Sequence, residues 1–224
     1  MTAFISDNVS GIHPTILGAI TQANLDAEVP YGIEQWPVKS NAAFADLFET
    51  EVLAIPCTSG TAANCLALSL MLELVVSICV HQKFISILWM KSWPLSSLRR
   101  RQTQPFNQRW FKGRCRHFSV GYEHHWRHAF SSPGALRLTQ SSETGPIYSI
   151  EEDKKLTEVV SNKGLKTPMD GAGFANAVDA LNCSPAELTW KDGVDFLSFG
   201  ATKNGVMTAE AVVLFKPNLF KSAP

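Results

Sequence analysis

Positions 194–205 decide the fold of this chain, and they read Val-Asp-Phe-Leu-Ser-Phe-Gly-Ala-Thr-Lys-Asn-Gly. The first six residues are typical of a buried strand, and a loop of small residues carrying Lys203 follows. A lysine in such a place can be buried enough to act as an amine nucleophile. A solvated loop lysine would look the same, so this stretch needs support from the rest of the chain.

Strand and helix signals alternate on both sides of this stretch. Strands are predicted at Val52–Pro56, Leu136–Thr139, Leu165–Met169, Val194–Phe199 and Ala211–Phe215. Helices are predicted from Pro14, over Asn41–Phe48, from about Ala62, over Ile150–Asn162 and over Phe174–Leu181. Strands that alternate with helices predict an α/β fold with a mainly parallel sheet flanked by helices.

Two further motifs follow predicted strands. The run Thr58-Ser59-Gly60-Thr61 leads from a strand into a helix and could bind an anion, although a plain helix cap is equally simple. Asp170 follows a strand, where α/β folds bind ligands, although a glycine-rich turn also favours Asp. With Lys203, these motifs match the needs of pyridoxal phosphate, which are a phosphate cradle, an acid for the ring nitrogen and a lysine.

The chain resembles the threonine aldolase family of fold type I pyridoxal-phosphate lyases. The matching stretches are Ser6–Ser10, Tyr31-Gly32, Ser59–Asn64, Leu138–Gln140, Met169–Ala172 and Leu197–Gly205. The resemblance implies an aspartate-aminotransferase-like large domain, whose mixed and mostly parallel sheet is flanked by helices. It also implies a C-terminal small domain, which this sequence is expected to lack.

The resemblance also implies roles for single residues. Lys203 would form the internal aldimine and Asp170 would pair with the pyridine nitrogen, so both are predicted to be catalytic. Cofactor binding is further assigned to Ser59, Gly60, Thr61 and Thr202. Ser6 would lie near the substrate carboxylate, and Tyr31 would lie in a loop that reaches a neighbouring subunit's active site. A homo-oligomer, dimeric or tetrameric, is therefore expected.

The implied activity is cleavage of L-threonine or related β-hydroxy-α-amino acids to glycine and an aldehyde. One departure weakens this prediction, because the family's Asp-Gly-Ala is followed by an Arg that binds cofactor and substrate, and Gly173 stands there instead. A glycine cannot make a charge-assisted bidentate contact. A catalytically impaired or inactive fragment of such an enzyme is therefore the alternative.

Residues 72–132 differ in composition from the flanking segments 1–71 and 133–224, which are assigned to the cofactor-binding large domain. The whole chain balances 20 basic against 20 acidic residues, yet Leu74 to Tyr122 holds no acid. The family motif His-Ile-x-x-Asp-Glu is also missing. Permitted codons for Gln82–Lys91, read from each third base, can spell Glu-Ile-His-Ile-Asn-Ile-Val-Asp-Glu, which has the His-Ile and the Asp-Glu of that motif with three residues between them instead of two. We therefore predict that the segment is translated out of frame, and coding DNA without that shifted motif would disprove it.

The basic segment also suggests two other functions, each with a weak signal. Arg99-Arg100-Arg101 among tryptophans resembles a nucleic-acid-binding composition, but no recognised binding motif accompanies it. His124, His125 and His128 have no further ligand at a typical metal-site spacing. We therefore expect neither nucleic acid nor metal, and the partner that the resemblance implies is a small amino-acid substrate.

Cysteine usage and hydropathy predict a cytoplasmic protein. The five Cys include no CxxC pair, and the N-terminus does not read as a signal peptide, which favours reduced thiols. The most apolar run, Cys65 to Val80, is shorter than a membrane span and contains Glu73. A buried helix is predicted there, and no membrane association.

Overall fold

The computed structural model describes residues 7–24, 29, 31, 33–71, 77–81, 102–106, 133–142 and 145–215. The helices in these ranges are α1 (Pro14–Ala23), α2 (Gln35–Phe48), α3 (Gly60–Met71), α4 (Ile150–Ser161) and α5 (Phe174–Leu181). Short 3-10 turns cover Asp7–Val9, Trp190–Asp192 and Thr202–Asn204. None of these helices combines the length and the apolar character needed to cross a membrane.

Eight strands form the described part of the sheet structure. They are β1 (Leu53–Cys57), β2 (Ser77–His81), β3 (Gln102–Phe106), β4 (Pro133–Leu136), β5 (Leu138–Thr139), β6 (Pro168–Gly171), β7 (Phe196–Gly200) and β8 (Glu210–Leu214). One sheet has the order β1-β8-β7-β6-β5, and the other has the order β3-β2-β4. The Lys166 N–H donates to the Gly134 carbonyl and the Leu136 N–H donates to the Lys166 carbonyl, which connects β4 to the segment before β6.

The sheet is mixed and mostly parallel, as predicted. In the five-stranded sheet, β8 runs antiparallel to both β1 and β7, whereas β5, β6 and β7 are mutually parallel. Since β8 reverses direction relative to both of its neighbours, β1 points the same way as β6 and β7. The carboxyl ends of these three strands therefore meet at one edge, where β8 begins.

Helices cover the two faces of this sheet and create two hydrophobic cores. Helix α3 packs on one face, where Ala63 and Leu68 join Phe196 and Val212. Helices α2, α4 and α5 pack on the other face in a larger core, whose members include Phe48, Leu156, Phe174, Met169, Leu197 and Val213. The result is a three-layer α/β/α arrangement, in which successive side chains of a strand point into the cores on opposite faces of the sheet.

Local signals explain several helix ends. Ser149 and Glu152 form a reciprocal capping box at the start of α4. Pro14 occupies the first turn of α1, where its missing N–H costs nothing. Helix α2 begins at Gln35, six residues before the predicted start at Asn41, because Pro37 falls within its first turn and is tolerated there.

The prediction of a buried helix over Cys65 to Val80 is wrong for Ser77–Val80, and residues 72–76 lie outside the described residues. Helix α3 ends at Met71, and Ser77–His81 forms strand β2 between two parallel neighbours. Ile78 is buried there, and its β-branched side chain suits a strand. β2 and β3 also show that parts of segment 72–132 are strands. The rest of that segment lies outside the described residues, and its reading frame stays a prediction.

Candidate functional site

The three sequence motifs lie at the sheet edge where β1, β6 and β7 end. Helix α3 begins three residues after β1, Asp170 is the third of the four residues of β6, and Lys203 follows the end of β7 by three residues. The motifs are far apart in the chain, and the shared direction of the three strands gathers them. A crevice at the carboxyl ends of strands is the usual ligand site of open α/β sheets.

Asp170 is surrounded by hydrogen-bond donors. Its Oδ2 accepts from a guanidinium nitrogen of Arg137 and from Asn64 Nδ2 at 3.3 Å. Its Oδ1 accepts from the backbone N–H of Ala172 at 3.0 Å. Met169 is buried in the opposite core, so the alternation of the strand turns Asp170 toward α3, which carries Asn64. The predicted acid is thus tied both to a neighbouring strand and to the helix of the phosphate motif.

Arg137 forms a buried ion pair with Asp170. The side chains of Arg137 and Asp170 are only 2% and 15% exposed. Leu136 and Leu138 lie in the opposite core, so Arg137 between them faces α3. Our sequence reasoning missed Arg137, although the Leu-Arg-Leu alternation of a predicted strand places a charge on the face opposite the leucines.

The start of α3 has the geometry of a capped helix that can still meet an anion. Ser59 Oγ accepts the Ala62 N–H at 3.2 Å, which confirms the helix-cap reading of this motif. The first intrahelical bond runs from the Ala63 N–H to the Ser59 carbonyl. The Gly60 and Thr61 amides precede that bond and point out of the helix start, where the helix dipole favours an anion.

Glu210 connects the helix start with the lysine loop. Thr202 Oγ1 donates to Glu210 Oε1 at 2.5 Å. An added Cβ would lie 3.2 Å from Glu210 Oε2 at Gly60 and 3.0 Å from it at Gly200. The carboxylate therefore packs closely against both motifs, and the glycines make room for it. The sequence reasoning missed Glu210, which only the pairing of β8 with β1 and β7 brings here.

The predicted residues differ in how well they fit this edge. Lys203 is half-buried in the turn Thr202–Asn204. The Thr202 hydroxyl donates its hydrogen bond to Glu210, so the contact with the phosphate that was assigned to Thr202 stays a prediction. Tyr31 is 96% exposed and lies in a bend with a φ of 72°. Ser6 lies outside the described residues.

The position of Gly173 has no room for a side chain. An added Cβ would lie 2.6 Å from Ser141 Oγ and 2.8 Å from Ser141 N. Both distances are shorter than real Cβ contacts, so a larger residue would require the Ser141 backbone to move. This fold therefore uses glycine at the position where the resembled family carries an Arg.

The residues present fit pyridoxal phosphate. A carboxylate has about four lone-pair directions, and described residues occupy three of those on Asp170, so that among these residues one direction on Oδ1 stays open for a protonated ring nitrogen. The Gly60 and Thr61 amides suit a phosphate, and Lys203 supplies an amine. No group of three or more His, Cys, Asp or Glu in the described part could hold a metal ion.

The thiols near this edge are held in the neutral form. Burial raises the pKa of the Cys65 thiol, and the charge of Arg137 only partly opposes that rise. Burial also raises the pKa of Cys57, and a hydrogen bond from the Val212 backbone opposes it. A neutral thiol is a poor nucleophile, so Lys203 is the better candidate for covalent chemistry.

Comparisons with known proteins identify the family of this chain. The family model described as beta-eliminating lyase matches residues 3–223. Low specificity L-threonine aldolases from Pseudomonas aeruginosa and from a Pseudomonas species are each 35% identical, over 233 and 226 residues. Each alignment covers 96% of this chain and 62% of the relative, so the chain spans less than two thirds of these relatives.

A solved structure shows the same fold. The threonine aldolase of Leishmania major superposes with a TM-score of 0.83 at 22% identity, over 98% of this chain and 64% of that one. At such identity the likeness concerns the fold alone. The match of the family model over nearly the whole chain goes further: this protein belongs to the beta-eliminating lyase family.

Proposed function

We propose that the chain is a pyridoxal-phosphate-dependent lyase that cleaves L-threonine or related β-hydroxy-α-amino acids to glycine and an aldehyde. The observation that carries this proposal is the gathering of the Gly60 helix start, Asp170 and Lys203 at one sheet edge. The two curated relatives are named low specificity L-threonine aldolases, which supports the substrate class.

Each of these residues has one task in the proposed reaction. When bound, pyridoxal phosphate supplies an aldehyde carbon and a ring that withdraws electrons. Lys203 would supply the amine that holds this group covalently, and Asp170 would accept a hydrogen bond from its ring nitrogen. The Gly60 and Thr61 amides hold the phosphate. The reaction breaks the Cα–Cβ bond of the substrate after loss of its hydroxyl proton, and a proton returned to Cα completes glycine.

The second candidate is a protein that binds the cofactor but cleaves substrate poorly. The crowding at Gly173 favours it, because no cationic side chain can stand there without moving Ser141. A substrate carboxylate then lacks one charge-assisted partner that the resemblance assigns to the family. This candidate predicts normal cofactor binding and weak turnover.

A cofactor titration tests the proposal. Adding pyridoxal phosphate to the purified chain should produce a visible absorbance band that Lys203→Ala abolishes. Lys191→Ala is the matched control, because Lys191 pairs with Glu49 on the surface and should leave the band unchanged. Absence of the band, or its survival in Lys203→Ala, would sink the proposal.

Product analysis separates the two candidates. Threonine incubated with the loaded protein should yield glycine and acetaldehyde in equal amounts, in a Lys203-dependent manner. A normal band without these products would favour the impaired candidate. Salt-dependent binding of an oligonucleotide would instead revive the nucleic-acid alternative raised by the basic segment.

We further expect a cytoplasmic homo-oligomer. Exposed apolar side chains concentrate in the N-terminal part of the described chain, where they include Leu17 (51%), Ile20 (41%), Tyr31 (96%), Ile33 (75%) and Val38 (71%). Apolar area of this kind often marks a protein interface. Light scattering after gel filtration should give two or four chain masses, and a single chain mass would contradict this expectation.

A further inference from the structure

We propose that Arg137 is a positioning residue for the candidate site. It holds Oδ2 of Asp170, so that only Oδ1 can meet the protonated ring nitrogen of the cofactor, and its charge limits how strongly that proton is held. The inference rests on the proposed function and adds a residue to which neither the family match nor the sequence motifs assign a role.

The hydrogen bonds of Asp170 assign different tasks to its two oxygens. Oδ2 uses both lone-pair directions, one for the Arg137 guanidinium and one for Asn64 Nδ2. Oδ1 uses one direction, for the Ala172 N–H. One direction therefore remains, and it lies on Oδ1. Without Arg137, Oδ2 of Asp170 would also have an open direction, so either carboxylate oxygen could accept from the ring nitrogen of the cofactor.

The flanking residues hold the backbone at Arg137 in place. Leu136 and Leu138, on either side of Arg137, are fully buried in the opposite core. Just beyond them, the Gln140 N–H donates to the Asp170 carbonyl at 3.1 Å, which fixes the distance between the two strands. The ion pair is therefore built into the sheet and does not depend on a flexible surface side chain.

Burial makes the charge of Arg137 effective. Both partners are largely shielded from water, so their interaction is screened much less than that of an exposed pair. A carboxylate that shares its charge with a fixed guanidinium offers less negative potential to a ring nitrogen. Removing that cation should favour the protonated form of the bound cofactor and raise the pH at which its absorbance band changes.

A pH titration of the cofactor band tests this inference. In Arg137→Gln, the midpoint should rise by about half a pH unit or more, because the cation is gone. In Arg137→Lys, the midpoint should stay at the wild-type value, while affinity for pyridoxal phosphate falls roughly threefold or more, since lysine lacks the planar fork. An unchanged midpoint in Arg137→Gln would overturn the inference.

Lys166→Met is the matched control. Lys166 is also a cation paired with an aspartate, Asp195 at 3.7 Å, but it precedes β6 and lies at the other end of these strands. Its removal should leave the midpoint unchanged, and an equal shift would show a general charge effect and overturn the role of Arg137. If Arg137→Gln does not fold, Arg137→Lys decides: unchanged cofactor affinity contradicts the inference.

Failure of the proposed function gives a different result from failure of this inference. In that case the wild-type chain itself shows no Lys203-dependent band. A cofactor-free double-mutant cycle with Arg137→Met and Asp170→Asn, followed by urea unfolding, then still measures whether Arg137 anchors the carboxylate. Additive effects would overturn the anchoring role, and coupling would support it.

Discussion

Asp170 and Asp153 are both largely buried carboxylates, but they lie on opposite sides of the sheet in opposite surroundings. Asp170 faces α3 and accepts from a guanidinium, an amide side chain and a backbone N–H. Asp153 lies on α4 and accepts from Gln140 Nε2 at 2.8 Å on Oδ2, while its Oδ1 has no partner among the described residues. Both carboxylate oxygens of the buried Asp192 nearby are likewise without a partner there.

The surroundings of Asp153 and Asp192 raise the pKa of both side chains. Burial raises the pKa of Asp153 from 3.8 to about 7, although the Gln140 hydrogen bond lowers it and the charge of Glu152 adds to the rise. Burial, followed by the charge of Asp153, raises the pKa of Asp192 to about 8. A buried acid without a cation favours its protonated form, and neither Asp153 nor Asp192 has a described cation as a hydrogen-bond partner.

The largest expected effect comes from breaking the paired site. Asp170→Asn breaks the buried ion pair between Asp170 and Arg137 and should lower the free energy of unfolding by about 3 kcal/mol. Urea unfolding without cofactor measures this loss. The double variant Asp170→Asn with Arg137→Met should recover part of it, since the buried cation is removed as well. Equal stability of the wild type and Asp170→Asn would show that the ion pair between Arg137 and Asp170 does not stabilise the α3 side of the sheet.

A smaller effect of opposite sign is expected at the unpaired site. The folded pKa of Asp153 lies above its unfolded value, so its contribution to stability falls as the pH rises from about 4 to about 7. Asp153→Asn removes this penalty and should raise the free energy of unfolding at pH 8 by about 1 to 2 kcal/mol. At pH 4 the variant and the wild type should agree.

Urea unfolding at the two pH values tests this difference. The charged neighbours Glu152, Lys154 and Glu158 stay in place in this variant, so they act equally on both proteins. Asp192→Asn should show the same direction. A variant that is equally stable, or less stable than the wild type at pH 8, would mean that the acids find partners in solution.

The smallest effect is expected where an ion pair is exposed. Lys191 and Glu49 form a pair at 2.6 Å, but their side chains are 39% and 48% exposed. The hydrogen bond from Lys191 lowers the pKa of Glu49, yet water competes for both charges. Lys191→Met should leave the urea midpoint unchanged within error. If Lys191→Met lowered the free energy of unfolding as much as Asp170→Asn does, burial could not explain why the two ion pairs differ.

Local patterns were enough to predict much of this architecture. Helix α5 matches its prediction over Phe174–Leu181, and the strands around Asp170 and Lys203 were placed to within a few residues. These segments have clear periodicity and end at glycines or caps. Strand β2 was missed because a short apolar run has no period that separates a strand from a buried helix.

The amino-acid sequence by itself determined the fold class, the family and the identity of the motif residues, because local periodicity and ordered motifs need only near neighbours in the chain. Only the tertiary structure decided which groups surround those residues. Arg137 and Glu210 reach the site through strand pairing over long separations, which no local pattern encodes. Tertiary structure alone also brings Asp153 and Asp192 together. Helix α4, which carries Asp153, meets the turn that carries Asp192 on one face of the sheet, and the packing there excludes the water that would otherwise solvate both carboxylates.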